Sequence, residues 1–208
     1  MILCDIGNTT FHFQINGISK KYFINEELPK LEEKIFYISV NENATKKLLD
    51  NYTNCINLKD KFSFKTTYEG MGIDRKVACF GETNSIVVDA GSAITVDVIK
   101  SSIHLGGFIL PGIMSFKKSY ADISPVLDHE INTKVNLDKI PLCTKDAISY
   151  SILKSIILPI KEIAKNENII FTGGDGEFLS SYFENCIYKE DLIFEKMKGI
   201  INANNCIA

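Results

Sequence analysis

The chain has 208 residues, enough for one large domain or two small ones. Apolar residues make up 45% and charged residues 24%, a globular composition that excludes a disordered chain. A formal net charge of −3 excludes the basic face that a general nucleic-acid binder needs.

In chain order, Met1–Ile6 reads as a strand, Gly7-Asn8-Thr9 as a turn and Thr10–Gln14 as a second strand. Asn16-Gly17 is a hairpin signal, with Lys20–Ile24 as the strand it returns to. Glu26–Glu33 reads as helix, Ile35–Val40 as a buried strand, Asn43–Asp50 as helix and Cys55–Leu58 as strand. The pattern then restarts: Ser85–Asp89 strand, Ala90-Gly91-Ser92 turn, Ala93–Lys100 strand, His104–Leu110 strand. Pro111-Gly112 breaks the run ahead of a helix over Ile113–Tyr120. Thr144–Lys165 is a long helix with Ile148, Ile152, Ile156 and Ile160 four apart, a buried stripe. Ile169–Thr172 is a strand, and Glu177–Phe183 and Leu192–Ala203 are helices. Antiparallel strands followed by strand–helix alternation indicate an α/β protein.

The restart is a repeat. Asp5-Ile-Gly7-Asn-Thr9-Thr10 matches Asp89-Ala-Gly91-Ser92-Ala93-Ile-Thr95. Each is strand, Asp-x-Gly with small polar residues, strand. The boundary falls near Gly81–Asn84, so residues 1–82 and 83–208 read as two halves, expected to pack across a cleft.

The Met-Ile-Leu-Cys start lacks the basic stretch and long apolar run of a secretory signal. The charge-free stretch 101–116 is too short and too broken by Gly and Pro to cross a bilayer. A cytoplasmic protein that uses neither membrane nor nucleic acid is expected. The six cysteines show no Cys-x-x-Cys pair and read as buried, reduced thiols. His12, His104 and His129 have no metal or relay spacing and read as structural.

An Asp-x-Gly-Asn-Thr turn suits phosphate. Glycine permits close backbone approach, successive N–H groups form an anion nest, and Asn and Thr add donors. The Asp is placed to hold water or a cation rather than phosphate. Such a turn alone is ordinary; two in equivalent places point to two turns on one polyphosphate. Thr172-Gly173-Gly174 is either a third site of close backbone approach, for ribose, base or phosphate, or a tight strand-to-helix turn. Gly106-Gly107 reads as close backbone contact at a strand end. Of the 23 Lys and Arg residues only Arg75 is arginine, either a compositional accident or the mark of a place where a bidentate fork is needed. It stands in Gly72-Ile73-Asp74-Arg75. Asp74 there is either a helix-start residue or the acceptor of a substrate hydroxyl proton. Arg75 can bind a carboxylate or transferring phosphoryl charge.

Taken together, these motifs resemble the type III pantothenate kinases, of the acetate and sugar kinase/Hsp70/actin superfamily. The resemblance rests on Asp5–Thr10, Gly72–Arg75, Asp89–Ala93 with Thr95 and Asp97, Gly106-Gly-Phe-Ile-Leu-Pro-Gly112, and Thr172-Gly-Gly174. It implies two ribonuclease-H-like domains, a homodimer, and ATP-dependent phosphorylation of pantothenate. Carried over, Asp5, Ile6, Gly7, Asn8, Thr9, Thr10, Phe11 and His12 match the ATP phosphate loop, and Ser92 an ATP-contacting Thr. Gly72, Ile73, Asp74 and Arg75 match the pantothenate-binding stretch, with Asp74 as proton acceptor. Thr144 matches a substrate-binding Thr near the dimer interface, and Tyr68 a substrate-contacting Tyr, at a shorter spacing than in longer members. Asp89 matches the ligand of potassium or ammonium, and Asp5 suits magnesium through water. The alternative is a nucleotide-binding regulatory protein without turnover, which would not need Asp74 and Arg75.

Overall fold

The computed structural model describes residues 1–204; Cys206 lies outside them. The chain parts into two compact units. Among the described residues one holds 1–82, 102–104 and 191–204; the other holds 83–101 and 105–190. Among the described residues no helix is long and apolar enough to cross a membrane.

In the first unit, strands β1 (Ile2–Ile6), β2 (Thr10–Ile15), β3 (Ile18–Phe23), β4 (Ile35–Ser39) and β5 (Cys55–Asn57) form one sheet in the order β3-β2-β1-β4-β5. β1 runs antiparallel to β2 and parallel to β4. The β2–β3 hairpin turns on Asn16 (φ 51°) and Gly17 (φ 82°), the two left-handed positions that Asn-Gly supplies. Side chains alternate along β1. Ile2, Cys4 and Ile6 pack with Ala44 and Leu48 of helix α1 (Glu42–Asn51). Leu3 packs on the other face, with Ile73 and Val77 of α2 (Ile73–Ala78) and four buried residues of the C-terminal helix 192–203: Phe194, Met197, Ile200 and Ile201. That helix follows the second half in sequence, yet its apolar stripe covers the first sheet.

The second unit repeats the order. Strands β6 (Ser85–Ala90), β7 (Ala93–Lys100), β8 (Ile103–Pro111), β9 (Ile169–Thr172) and β10 (Cys186–Tyr188) lie as β10-β9-β6-β7-β8, with β6 antiparallel to β7 and parallel to β9. Helix α3 (Ile113–Ile123) follows β8. Helix α4 (Thr144–Ala164) lays Ile148, Ile152, Ile156 and Ile160 against Ile86, Val88 and Ala90 of β6. Helix α5 (Gly176–Ser180) precedes β10, and α6 (Leu192–Ala203) is the helix that returns to the first unit.

Three expectations differ. Residues 26–33 are irregular, not helical. Pro29 removes a backbone donor there, and side chains take the carbonyls instead: Tyr52 Oη bonds Pro29 O, and Lys47 Nζ bonds Ile24 O and Glu26 O. The helix expected over 177–183 ends at Ser180, and β10 follows it unforeseen, three residues long. Among the described residues Cys4, Cys55, Cys79, Cys143 and Cys186 form no disulfide, but only Cys4 and Cys79 are buried; Cys143 is exposed as the N-cap of α4.

Candidate active site

The first turn lies at the carboxyl ends of the parallel strands β1 and β4, the usual ligand edge of an open α/β sheet. Gly7 N–H donates to Thr10 O at 3.0 Å and closes the turn. A Cβ on Gly7 would meet only Thr10 O, at 3.7 Å, and the backbone is not left-handed. Nothing among the described residues therefore demands glycine at this point. What a side chain would obstruct is a partner approaching the backbone from outside. Asn8 and Thr9 are exposed beside it, whereas Ile6 and Phe11 are fully buried, so only their backbone can face a ligand. By alternation Asp5 shares the Leu3 face of β1, the face that α2 and α6 cover. His12, cross-strand from Asp5, sets its ring edge-on to Phe194, with centroids 4.7 Å apart. Burial, then Lys21, lowers the His12 pKa from 6.5 to about 4, so the imidazole is neutral at pH 7.

The second turn has the same construction. Gly91 N–H donates to Ala93 O at 3.0 Å. A Cβ on Gly91 would meet only Ala93 O, at 3.8 Å. Ser92 and Ala93 are exposed. Behind the turn the chain is crowded. Gly112 N–H and Ser115 Oγ both donate to Ser92 O, at 3.0 and 2.9 Å, and a Cβ on Gly112 would collide with Gly91 O. Gly173 is left-handed (φ +84°), and its Cβ would lie 2.5 Å from both Ala90 O and Asp89 Oδ1. Asp175 N–H donates to Ala90 O at 2.9 Å. Gly112 and Gly173 are thus explained by packing: they buttress the turn and hold the Asp89 carboxylate in place. Gly174 meets nothing within 4 Å. Gly106, expected to make close backbone contact, likewise meets nothing; its φ of +140° is what requires glycine.

Gly72-Ile73-Asp74-Arg75 forms the start of α2, with Gly72 as N-cap. The Asp74 carboxylate folds back over Gly72, where a Cβ would collide with Oδ1, and Oδ1 accepts from Arg75 N–H at 2.8 Å. Glycine here keeps the carboxylate on the helix start. Ile73 is buried in the α2–α6 core. Arg75 is 6% exposed, unusual for arginine, and its Cζ lies 4.8 Å from the centroid of the Tyr68 ring. Tyr68 and Arg75 are thus brought together, a stacking that sequence reasoning did not predict. Thr144 is in the second unit, exposed in the first turn of α4, with no side-chain hydrogen bond among the described residues.

No three His, Cys, Asp or Glu side chains gather into a metal site among the described residues.

Two sheets of one strand order, each with an Asp-x-Gly turn closing its first hairpin, define the duplicated fold of the sugar kinases, Hsp70 and actin. A proposed 2-dehydro-3-deoxygalactonokinase from Sinorhizobium meliloti shares that fold, with a TM-score of 0.57 at 8% identity over 97% of this chain and 96% of its own. Within this class, the chain belongs to the type III pantothenate kinase family, whose model matches residues 24–166. A type III pantothenate kinase of Campylobacter jejuni subsp. jejuni serotype O:2 is 53% identical over 208 residues, 98% of each chain. A crystal structure from Campylobacter jejuni, described as a conserved protein proposed to be a Baf family transcriptional activator, matches with a TM-score of 0.90. It is 50% identical and covers 99% of this chain and 100% of its own.

Proposed function

We propose that the protein transfers the γ-phosphoryl group of ATP to pantothenate, giving 4′-phosphopantothenate and ADP, the first step of coenzyme A biosynthesis. The near-full-length match to a type III pantothenate kinase carries this reading. Asp74 takes the proton of the acceptor hydroxyl as the oxygen–phosphorus bond forms and the β–γ bridging bond breaks. Arg75, with Tyr68, Gly72 and Ile73, holds pantothenate; a buried guanidinium suits the substrate carboxylate.

The turns at Gly7 and Gly91 bind ATP phosphates through backbone N–H groups, with Asn8, Thr9, Thr10 and Ser92 adding side-chain donors. The absence of any internal demand for glycine at these two positions supports this assignment. Asp5 would hold magnesium through water, and Asp89 potassium or ammonium; bound there, these ions would offset phosphate charge. The active form is a homodimer, with Thr144 a pantothenate-binding residue near the dimer interface. The reaction takes place in the cytoplasm.

Incubation of purified protein with ATP, magnesium, potassium and pantothenate, followed by mass detection, tests the reading. A product heavier than pantothenate by one phosphoryl group is expected. ATP binding without product would favour the nucleotide-binding regulator instead.

A further inference from the structure

His104 is 2% exposed and belongs to the first unit, although its strand β8 runs on into the second. It lies among three residues of the 64–68 segment. Its ring stands 5.6 Å from that of Phe64 and 6.0 Å from that of Tyr68, centroid to centroid. Its Nδ1 is 2.7 Å from Thr66 Oγ1. The same Thr66 oxygen accepts from Tyr68 N–H at 3.0 Å. The backbone is tied at this point too: His104 N–H donates to Lys65 O at 3.1 Å, and Thr66 and His104 form an isolated parallel bridge.

We infer that Thr66 and His104 are positioning residues for pantothenate, acting through the Tyr68 ring on Arg75. The inference rests on the pantothenate reading of Arg75 and extends it. The 61–72 segment has no regular secondary structure apart from that bridge, so the propensity of its own residues does not fix Tyr68. Thr66 Oγ1 does: one atom joins the Tyr68 backbone to a buried imidazole. Tyr68 in turn presents its face to the guanidinium, a cation–π contact that sets the plane of the fork. A guanidinium binds a carboxylate bidentately only if that plane is right. Loss of the Thr66–His104 bond therefore loosens Arg75 without removing it.

The test is steady-state kinetics of Thr66→Val, which removes the hydroxyl at constant shape, and of Thr66→Ser, which retains it. Each is measured with pantothenate and ATP varied separately, well below its melting temperature. Thr66→Val should raise KM for pantothenate about three- to tenfold, the scale of one hydrogen bond. KM for ATP should stay within about twofold, well below that scale, and Thr66→Ser should behave as the parent. His104→Phe, which keeps a ring but loses Nδ1, should match Thr66→Val. A folded Thr66→Val with parental pantothenate kinetics would overturn the inference, as would equal losses for both substrates. Arg75→Lys is run beside it. If Arg75→Lys weakens pantothenate and Thr66→Val does not, only the positioning role fails. If Arg75→Lys leaves pantothenate kinetics unchanged, the reading of Arg75 fails and the inference falls with it.

Discussion

Asp74 is the residue on which the proposed chemistry turns most directly. Its Oδ1 accepts the Arg75 N–H, an acceptor that asparagine can keep, so Asp74→Asn removes a base and little else. The rate should fall by about 10²–10⁴, the usual cost of losing general-base catalysis, with the melting temperature unchanged. A rate within about threefold of the parent, far short of that range, would exclude Asp74 as base. His12 makes a different prediction. Its folded-state pKa of about 4 lies below the ordinary 6.5, chiefly because burial disfavours the imidazolium. Above pH 6.5 His12 is neutral whether folded or not and adds no pH dependence. Between 6.5 and about 4 the unfolded chain binds a proton that the folded chain does not, so stability falls as pH falls. His12→Phe keeps a ring against Phe194 and should flatten that part of the melting-temperature curve. Parallel curves for parent and variant would refute the assignment.

The two Asp-x-Gly turns differ from the glycines behind them in what a methyl group would do. Gly173 is left-handed and lies against Ala90 O and Asp89 Oδ1; its neighbour Gly174 meets nothing within 4 Å. Gly173→Ala should cost at least about 1–2 kcal/mol from backbone handedness alone, with the steric clash added. Gly174→Ala should be close to neutral. Thermal melts of the pair settle it, and equal melting temperatures would sink the argument. The elements themselves were largely legible, because each is a local pattern: alternation for β1 and β2, Asn-Gly for the hairpin, the isoleucine stripe for α4. The errors arose where tertiary contacts override local preference. In the 26–33 segment the Glu26 and Pro29 carbonyls accept from Lys47 of α1 and from Tyr52 at its C-cap instead of from the segment's own amides. The strand β10 has only three residues and is defined by pairing with β9.

At the scale of the whole molecule, the duplication was readable from the paired turns, and the matching strand orders bear it out. The return of α6 to the first sheet was not, since nothing in an apolar stripe says which sheet it will cover. Asp74 and Arg75 stand out as candidates in the sequence because glycine and a solitary arginine mark them; Thr66 and His104 do not, because a histidine in an apolar run has no local signature. The duplication also sets the last prediction. Asp89 stands at the end of β6 as Asp5 stands at the end of β1, each one residue short of the strand end and each two residues before its turn glycine. In this reading phosphate oxygens approach the Gly91 turn, and the Asp89 carboxylate, held against Gly173, lies next to that turn. Two unit charges of like sign 4 Å apart repel by about 4 kcal/mol near a protein surface. A cation at Asp89 would remove that repulsion, and among the described residues no three His, Cys, Asp or Glu side chains gather to build a divalent cage. A weakly hydrated monovalent ion, sharing its shell with water and phosphate, meets the need. Activity should therefore rise when sodium is replaced by potassium at constant ionic strength with magnesium saturating. Asp89→Asn preserves the shape against Gly173 and should abolish the difference between the two ions. Equal rates of the parent protein in sodium and potassium would refute a monovalent-cation role for Asp89.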